Sequence, residues 1–174
     1  MLPYFINLNN RLISNDETNE IRDFAFTHFD KFMNQSFDGN YNFSSMSILK
    51  NNIPAIDKLE RRFKIRSRLA LLCHLPRTEV IKHVDSSFSR NTVLMIPINP
   101  LDNYPPGYFW NTLEDTDPIS ICDFANNSAV LFNTQKIHSV INDSDEYRLN
   151  LQFSFYEDIE TVYKLYSSNE LLEE

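Results

Sequence analysis

The segment Arg148-Leu149-Asn150-Leu151-Gln152-Phe153-Ser154-Phe155 alternates polar and apolar residues without interruption. Successive side chains of a β-strand point to opposite faces, so Leu149, Leu151, Phe153 and Phe155 share one face and Arg148, Asn150, Gln152 and Ser154 the other. A helix would scatter both sets around its circumference. As a strand, the segment buries one face against a core and turns the other toward something polar. Inside a closed β-structure that polar face needs partners or ligands, because a buried polar group left unpaired is costly.

The surrounding chain has the same texture. From about residue 65, short β-rich runs are separated by Pro, Asn and Asp: Arg68 to Leu75, Glu79 to Val84, Thr92 to Ile98, Tyr108 to Asn111, Ile119 to Phe124, Ala129 to Phe132, Ile137 to Ile141 and Tyr147 to Tyr156. Their number and spacing predict a mainly β fold, a two-sheet jelly roll, with helices flanking it. Ser14 and Glu17 form a capping-box pattern, and Ile21, Phe24, Ala25, His28, Phe29, Phe32 and Met33 follow at helical spacing. A helix is therefore expected over about 15–34, with His28 as a partly buried core histidine. A polar loop is expected over Gly39 to Ser45, then a second helix opened by Pro54 with Ala55, Ile56, Leu59 and Phe63 on one face. Asp158 is the expected cap of a last helix reaching Leu172, striped by Ile159, Val162, Tyr163, Leu165 and Tyr166.

No linker, repeat or low-complexity tract divides the chain, which reads as one domain over 1–174: a helical part to 64, a β core over 65–156 and a C-terminal helix over 157–174. With 42% hydrophobic residues, 14 Phe and 8 Tyr, the 174 residues can build a core without staples. Glycine occurs only at Gly39 and Gly107, so Asn is expected at many turns, since it tolerates positive φ. A net charge of -8 argues against a nucleic-acid partner. The basic cluster Arg61, Arg62, Lys64, Arg66 and Arg68 reads as a solvated face where a helix passes into a strand. The absence of a long apolar run or of a signal-like start, and two cysteines read as free thiols (Cys73 and Cys122), lead to the expectation of a soluble cytoplasmic protein without a membrane partner.

In Val80-Ile81-Lys82-His83-Val84-Asp85 the two-residue period of a strand puts His83 and Asp85 on one face, able to chelate one ion. His138 lies in a later short apolar strand, Ile137 to Ile141. Two imidazoles and one carboxylate on one side of a metal leave adjacent coordination positions open, the arrangement of iron(II) oxygenases. Ten positions beyond His138, Arg148 opens the alternating strand; its guanidinium can donate two parallel hydrogen bonds to a carboxylate. The competing reading is a set of polar residues on the solvent face of a sandwich.

These segments resemble the 2-oxoglutarate and iron(II)-dependent oxygenases, and within them the aspartyl/asparaginyl β-hydroxylase-like group. The resemblance lies in Arg68 to Pro76 with Val80 to Asp85, in Arg90 to Ile98, and in the closing block Ala129 to Phe132, His138 to Asn142 and Arg148 to Leu151. It covers about residues 65–156. It implies a double-stranded β-helix of the cupin-like type in which His83, Asp85 and His138 bind Fe(II). 2-Oxoglutarate would chelate the metal and set its distal carboxylate on Arg148, with Arg90 and Asn150 as further contacts, and dioxygen would be the oxidant. The group often carries glycine in the turn before its His-x-Asp and again before the strand preceding the distal histidine. Here Arg77-Thr78 and Asn126-Asn127 stand in those places. Asp85 makes the chain look like the three-ligand oxygenases in general, and prolyl hydroxylases share a comparable layout. The expected activity is hydroxylation of a peptide or protein side chain, because Tyr104 to Trp110 could rim the site, although ordinary aromatic packing explains that loop as well. The alternatives are a small-molecule oxygenase and a cupin-like module that holds metal without turnover.

Overall fold

The computed structural model describes residues 2–34, 40–43, 46–65, 67–85 and 90–172. In chain order its elements are β1 (Phe5–Asn7), α1 (Asn15–Thr27), β2 (Phe32–Asn34), β3 (Asn40–Phe43), α2 (Met46–Asn52), α3 (Pro54–Arg61), β4 (Arg68–His74), β5 (Thr78–His83), β6 (Thr92–Asn99), β7 (Gly107–Trp110), β8 (Ser120–Cys122), β9 (Val130–Asn133), β10 (Ile137–Asn142), β11 (Arg148–Phe155) and α4 (Ile159–Ser167). A seven-stranded sheet runs β1-β9-β6-β11-β4-β3-β2 and a four-stranded sheet runs β5-β10-β7-β8. Every pairing is antiparallel. The eight runs expected from residue 65 onward are β4 to β11, folded as a two-sheet jelly roll.

The alternating strand β11 lies between β4 and β6. Its apolar face joins one core cluster with Ile21 and Ala25 of α1, Leu49 of α2, Ile56 and Leu59 of α3, and Ile159 and Val162 of α4. Each large aliphatic or aromatic side chain so buried contributes about 1.5–3 kcal/mol, and this sum fixes which face of β11 turns inward. A second cluster fills the space between the sheets with Val93, Met95, Phe109, Val130 and Phe132 among others. Gly107 is required there, because a Cβ would stand 2.8 Å from the Phe132 ring.

Three expectations are corrected, two of helices and one of a loop. The first helix stops at Thr27 and residues 32–34 form strand β2. Beyond His28 the ring of Phe29 packs on Phe32, Tyr41 and Tyr147, with centroids 5.4, 6.1 and 5.4 Å away, so tertiary packing overrides the helical spacing. The polar loop over Gly39 to Ser45 contains a strand instead, β3, whose Tyr41 pairs with Cys73 of β4; Gly39, Ser44 and Ser45 lie outside the described residues. The last helix ends at Ser167, since Asn169 at φ 57 turns the chain and sends Leu171 into the core; Tyr163 stays exposed. The short elements β1 and α2 were not expected.

The local signals otherwise act as read. The Ser14–Glu17 capping box is present, Pro54 opens α3, and Asp158 accepts from Thr161 N at 2.8 Å. His28 is partly buried, stacked on Phe24, and donates Nδ1–H to Phe24 O at 2.9 Å. Among the described residues, five of the seven non-glycine residues with positive φ are Asn9, Asn103, Asn126, Asn127 and Asn169, so asparagine does replace glycine at turns. The basic cluster lies where α3 passes into β4, with Arg61 paired to Asp57 at 2.7 Å and Lys64 on Asn169 O; Arg66 lies outside the described residues. Cys73 and Cys122 are buried free thiols. Among the described residues no helix is long and apolar enough to cross a membrane.

Candidate active site

His83 ends β5 and His138 stands directly opposite it on β10. The pairing register slips between these strands: three steps along β5, from Val80 to His83, match two along β10, from His138 to Val140. This bulge carries the extra residue at Ile81-Lys82, so Val80 and His83 both face inward while Ile81 is 62% exposed. Simple alternation could not put residues 80 and 83 on the same face. Asp85 follows the end of the strand and continues the pairing through its N–H to Thr134 O at 3.1 Å.

The ligand-type atoms of His83, Asp85 and His138 all lie within 4.8 Å of one another, and His83 Nε2 is 3.5 Å from Asp85 Oδ1. Metal–donor bonds of about 2.1 Å at right angles would put neighbouring donors about 3 Å apart, so closure needs a small inward shift. Each imidazole is turned by its own backbone. His83 Nδ1 is 2.7 Å from Ile81 O and His138 Nδ1 is 2.8 Å from Lys136 O. A carbonyl only accepts, so both Nδ1 atoms carry a proton, which leaves each Nε2 as the nitrogen a metal would take; at His83 that atom faces the Asp85 carboxylate, and a metal there would replace its proton. Burial, reinforced by the charge of His83, pushes the pKa of His138 down to about 4, which keeps it neutral. Burial is the largest single influence on His83 and opposes its charge, but the Asp85 hydrogen bond, the Ile81 carbonyl and the Asp85 charge together raise its pKa. At Asp85 burial is again the largest influence, and the His83 hydrogen bond together with the charges of His138, His83 and Arg90 lowers its pKa.

The triad lines a cavity of about 170 Å³ whose wall also includes Arg148. Arg148 is fully buried, and among the described residues no carboxylate pairs with it. Its Nε donates to Pro105 O and its Nη1 to Asn150 Oδ1, both at 3.2 Å, and the guanidinium packs 4.6 Å from the centre of the Tyr104 ring. Its Nη2 has no hydrogen-bond partner, nor has Asn150 Nδ2. A buried cation with unused donors and no counter-ion is a receptor for an anion.

The structure thus brings His83, Asp85, His138 and Arg148 to one cavity, with Asn150 beside Arg148. Arg90 lines the same cavity from the other end of β6: it precedes Thr92, which pairs with Phe155, whereas Leu149 beside Arg148 pairs with Asn99. Arg90 acts on the charge of Asp85, and its Nε is buried without a partner. The aromatic loop packs inward, with Tyr104, Phe109 and Trp110 all buried, and forms no rim. Sequence reasoning missed His74, Asn42, Thr134 and Gln152 in the cavity wall. Gln152 was marked by the β11 alternation, whereas the other three depend on strand register that no local pattern displays.

No family model matches the sequence, and no curated protein matches it. Solved structures do. A prolyl-4-hydroxylase from Pseudomonas putida superposes with a TM-score of 0.60 at 11% identity, covering 87% of this chain and 91% of that one. A 2OG-Fe(II) oxygenase family oxidoreductase from Burkholderia pseudomallei gives 0.60 at 10%, covering 89% and 85%. A Trichoplax adhaerens prolyl hydroxylase, in complex with a hypoxia inducible factor peptide fragment, gives 0.56 at 14%, covering 87% and 83%. The fold is that of 2-oxoglutarate and iron(II) oxygenases. None of the three is described as an aspartyl/asparaginyl β-hydroxylase, and two are described as prolyl hydroxylases.

Proposed function

We propose that this chain is an Fe(II)- and 2-oxoglutarate-dependent oxygenase with His83, Asp85 and His138 as the metal ligands. The observation that carries the reading is the shared cavity: three ligand-type side chains within 4.8 Å of one another, and a buried Arg148 that lacks a counter-ion. A metal-binding module without turnover has no use for the second feature. Bound Fe(II) would supply dioxygen activation, in which 2-oxoglutarate goes to succinate and carbon dioxide while one oxygen atom enters a C–H bond of the substrate.

The protein's own groups have separable tasks. The two Nε2 atoms and the Asp85 carboxylate hold the metal, whose charge Asp85 partly neutralises. Arg148 takes the distal carboxylate of 2-oxoglutarate, steadied by Asn150. Phe132, Val80 and Val140 line the wall and keep water from the reacting centre. A peptide or protein side chain is the proposed substrate. Asn42, Gln152 and Arg90 offer polar groups in the same cavity, and one solved relative in fold is in complex with a peptide. The expected outcome of anaerobic titration with Fe(II) and then 2-oxoglutarate is the weak visible charge-transfer band of the chelate. Arg148→Ala should keep iron binding but weaken 2-oxoglutarate by roughly 2–5 kcal/mol. Equal 2-oxoglutarate affinity in wild type and variant would sink the reading.

A further inference from the structure

His74 closes β4 directly opposite Arg148 in the sheet register. It is 4% exposed, lines the cavity, and has no part in the function proposed above. Its Nδ1 lies 3.2 Å from Arg148 Nη1. A guanidinium nitrogen only donates, so Nδ1 is the acceptor and carries no proton. In a neutral imidazole the single N–H must then sit on Nε2. Burial, and the positive charge of Arg148 beside it, hold the His74 pKa well below the usual histidine value, in keeping with a neutral ring. Among the described residues no group accepts from Nε2–H, although the ring is almost wholly buried.

The same contact organises Arg148. Its Nη1 is shared between His74 Nδ1 and Asn150 Oδ1, each 3.2 Å away, and its Nε is held by Pro105 O. The guanidinium cannot rotate without losing these bonds, which leaves Nη2 as its unused donor. His74 Nε2 and Arg148 Nη2 are therefore donor atoms without a partner on adjacent, mutually fixed side chains of the cavity wall. Between them they can serve both oxygens of one carboxylate.

We infer that His74 is a second recognition residue for the distal carboxylate of 2-oxoglutarate, donating Nε2–H to one oxygen while Arg148 Nη2 serves the other. The inference rests on the proposed oxygenase reading. It makes the subsite selective for a dicarboxylate, because an apolar chain end would leave both donors buried and unpaired.

The test is calorimetric binding to the anaerobic Fe(II) protein, using 2-oxoglutarate and 2-oxopentanoate, which has a methyl group in place of the distal carboxylate. Failure of the wild type to bind 2-oxoglutarate would remove the function itself, before any variant is made. Given wild-type binding, His74→Leu should weaken 2-oxoglutarate about tenfold to hundredfold and leave 2-oxopentanoate unchanged. An equal loss for both acids, or no loss for either, would overturn the inference. Two further variants keep the test decisive if His74→Leu folds poorly. Gln reaches the Nε2 position and should restore most of the affinity. Asn places its amide where Nδ1 stands, keeps only the Arg148 contact, and should not. Full affinity in His74→Asn would mean that His74 merely positions Arg148, against the direct contact inferred here.

Discussion

The seven-stranded sheet is backed by α1 to α4, whereas the four-stranded sheet turns its outer face to solvent, with Ile81 on β5 62% and Ile121 on β8 48% exposed. The two proposed halves of the site are divided between them. Arg148, His74 and Asn150 stand on the backed sheet, and His83 and His138 on the open one. The anion end is held by global packing: β11 cannot shift without moving Leu149, Leu151, Phe153 and Phe155, each fully buried. The metal end is held locally, by histidines that bond to the carbonyls two residues earlier in the chain, Ile81 within β5 and Lys136 just before β10. Orientation by the near backbone needs no thick layer behind it, so a thin sheet suffices for metal ligands.

This contrast is broken most directly by deleting matched apolar groups on the two sheets. Phe153→Ala on the backed sheet should cost about 3–5 kcal/mol, read as a lower urea midpoint. Ile81→Ala on the open sheet should change stability by no more than about 0.5 kcal/mol. Comparable losses at both positions would mean that the open sheet is covered in solution, and the contrast fails.

The next effect falls on the metal. His138→Ala should lower iron(II) affinity by more than about a hundredfold while the far-UV circular dichroism spectrum is kept, because the ring is fixed by a local contact rather than by the helical core. Unchanged iron binding would remove His138 from the ligand set. Asp85→Ala should have a smaller effect on affinity, since two imidazoles remain, but should abolish most 2-oxoglutarate turnover. Normal turnover would place the centre among the two-histidine sites.

How legible the molecule was in its sequence follows the same division. The strands β4 to β11 announce themselves by period and punctuation, and β11 states both its faces outright, from which Arg148 follows. The His-x-Asp pair was found by period, yet the reason Val80 and His83 share a face is the bulge at Ile81-Lys82, which exists only in the pairing with β10. The strands β2 and β3, which close one end of the larger sheet, escaped because three or four residues give no period, and β4, on which β3 pairs, lies far along the chain. His74 escaped for a related reason: at the end of Leu69-Ala70-Leu71-Leu72-Cys73-His74 it looks like the last residue of a buried strand, and only the register with Arg148 gives it a task.

The smallest effect is expected at the turn before His83, on the open sheet. Arg77 adopts φ 57, a left-handed conformation that costs an L-residue about 1–2 kcal/mol. Glycine would relieve that cost but loses more backbone entropy on folding, about 0.4–1 kcal/mol. Arg77→Gly also removes the pair between Arg77 Nη2 and Asp145 Oδ1 at 2.8 Å. Both side chains are mostly exposed, so this pair contributes about 0–1 kcal/mol. The relief of strain should win narrowly, raising stability by up to about 1 kcal/mol, a shift in Tm of a few degrees at most. Asp145→Ala, which removes the ion pair and keeps the strained backbone, is the control and should lower Tm slightly or leave it unchanged. If Arg77→Gly and Asp145→Ala lose the same stability, the ion pair outweighs the strain, and the side-chain bond from Arg77 to Asp145 is what holds the β4–β5 turn in place, since the backbone N–H of residue 77 keeps its bond to Ser144 O in both variants.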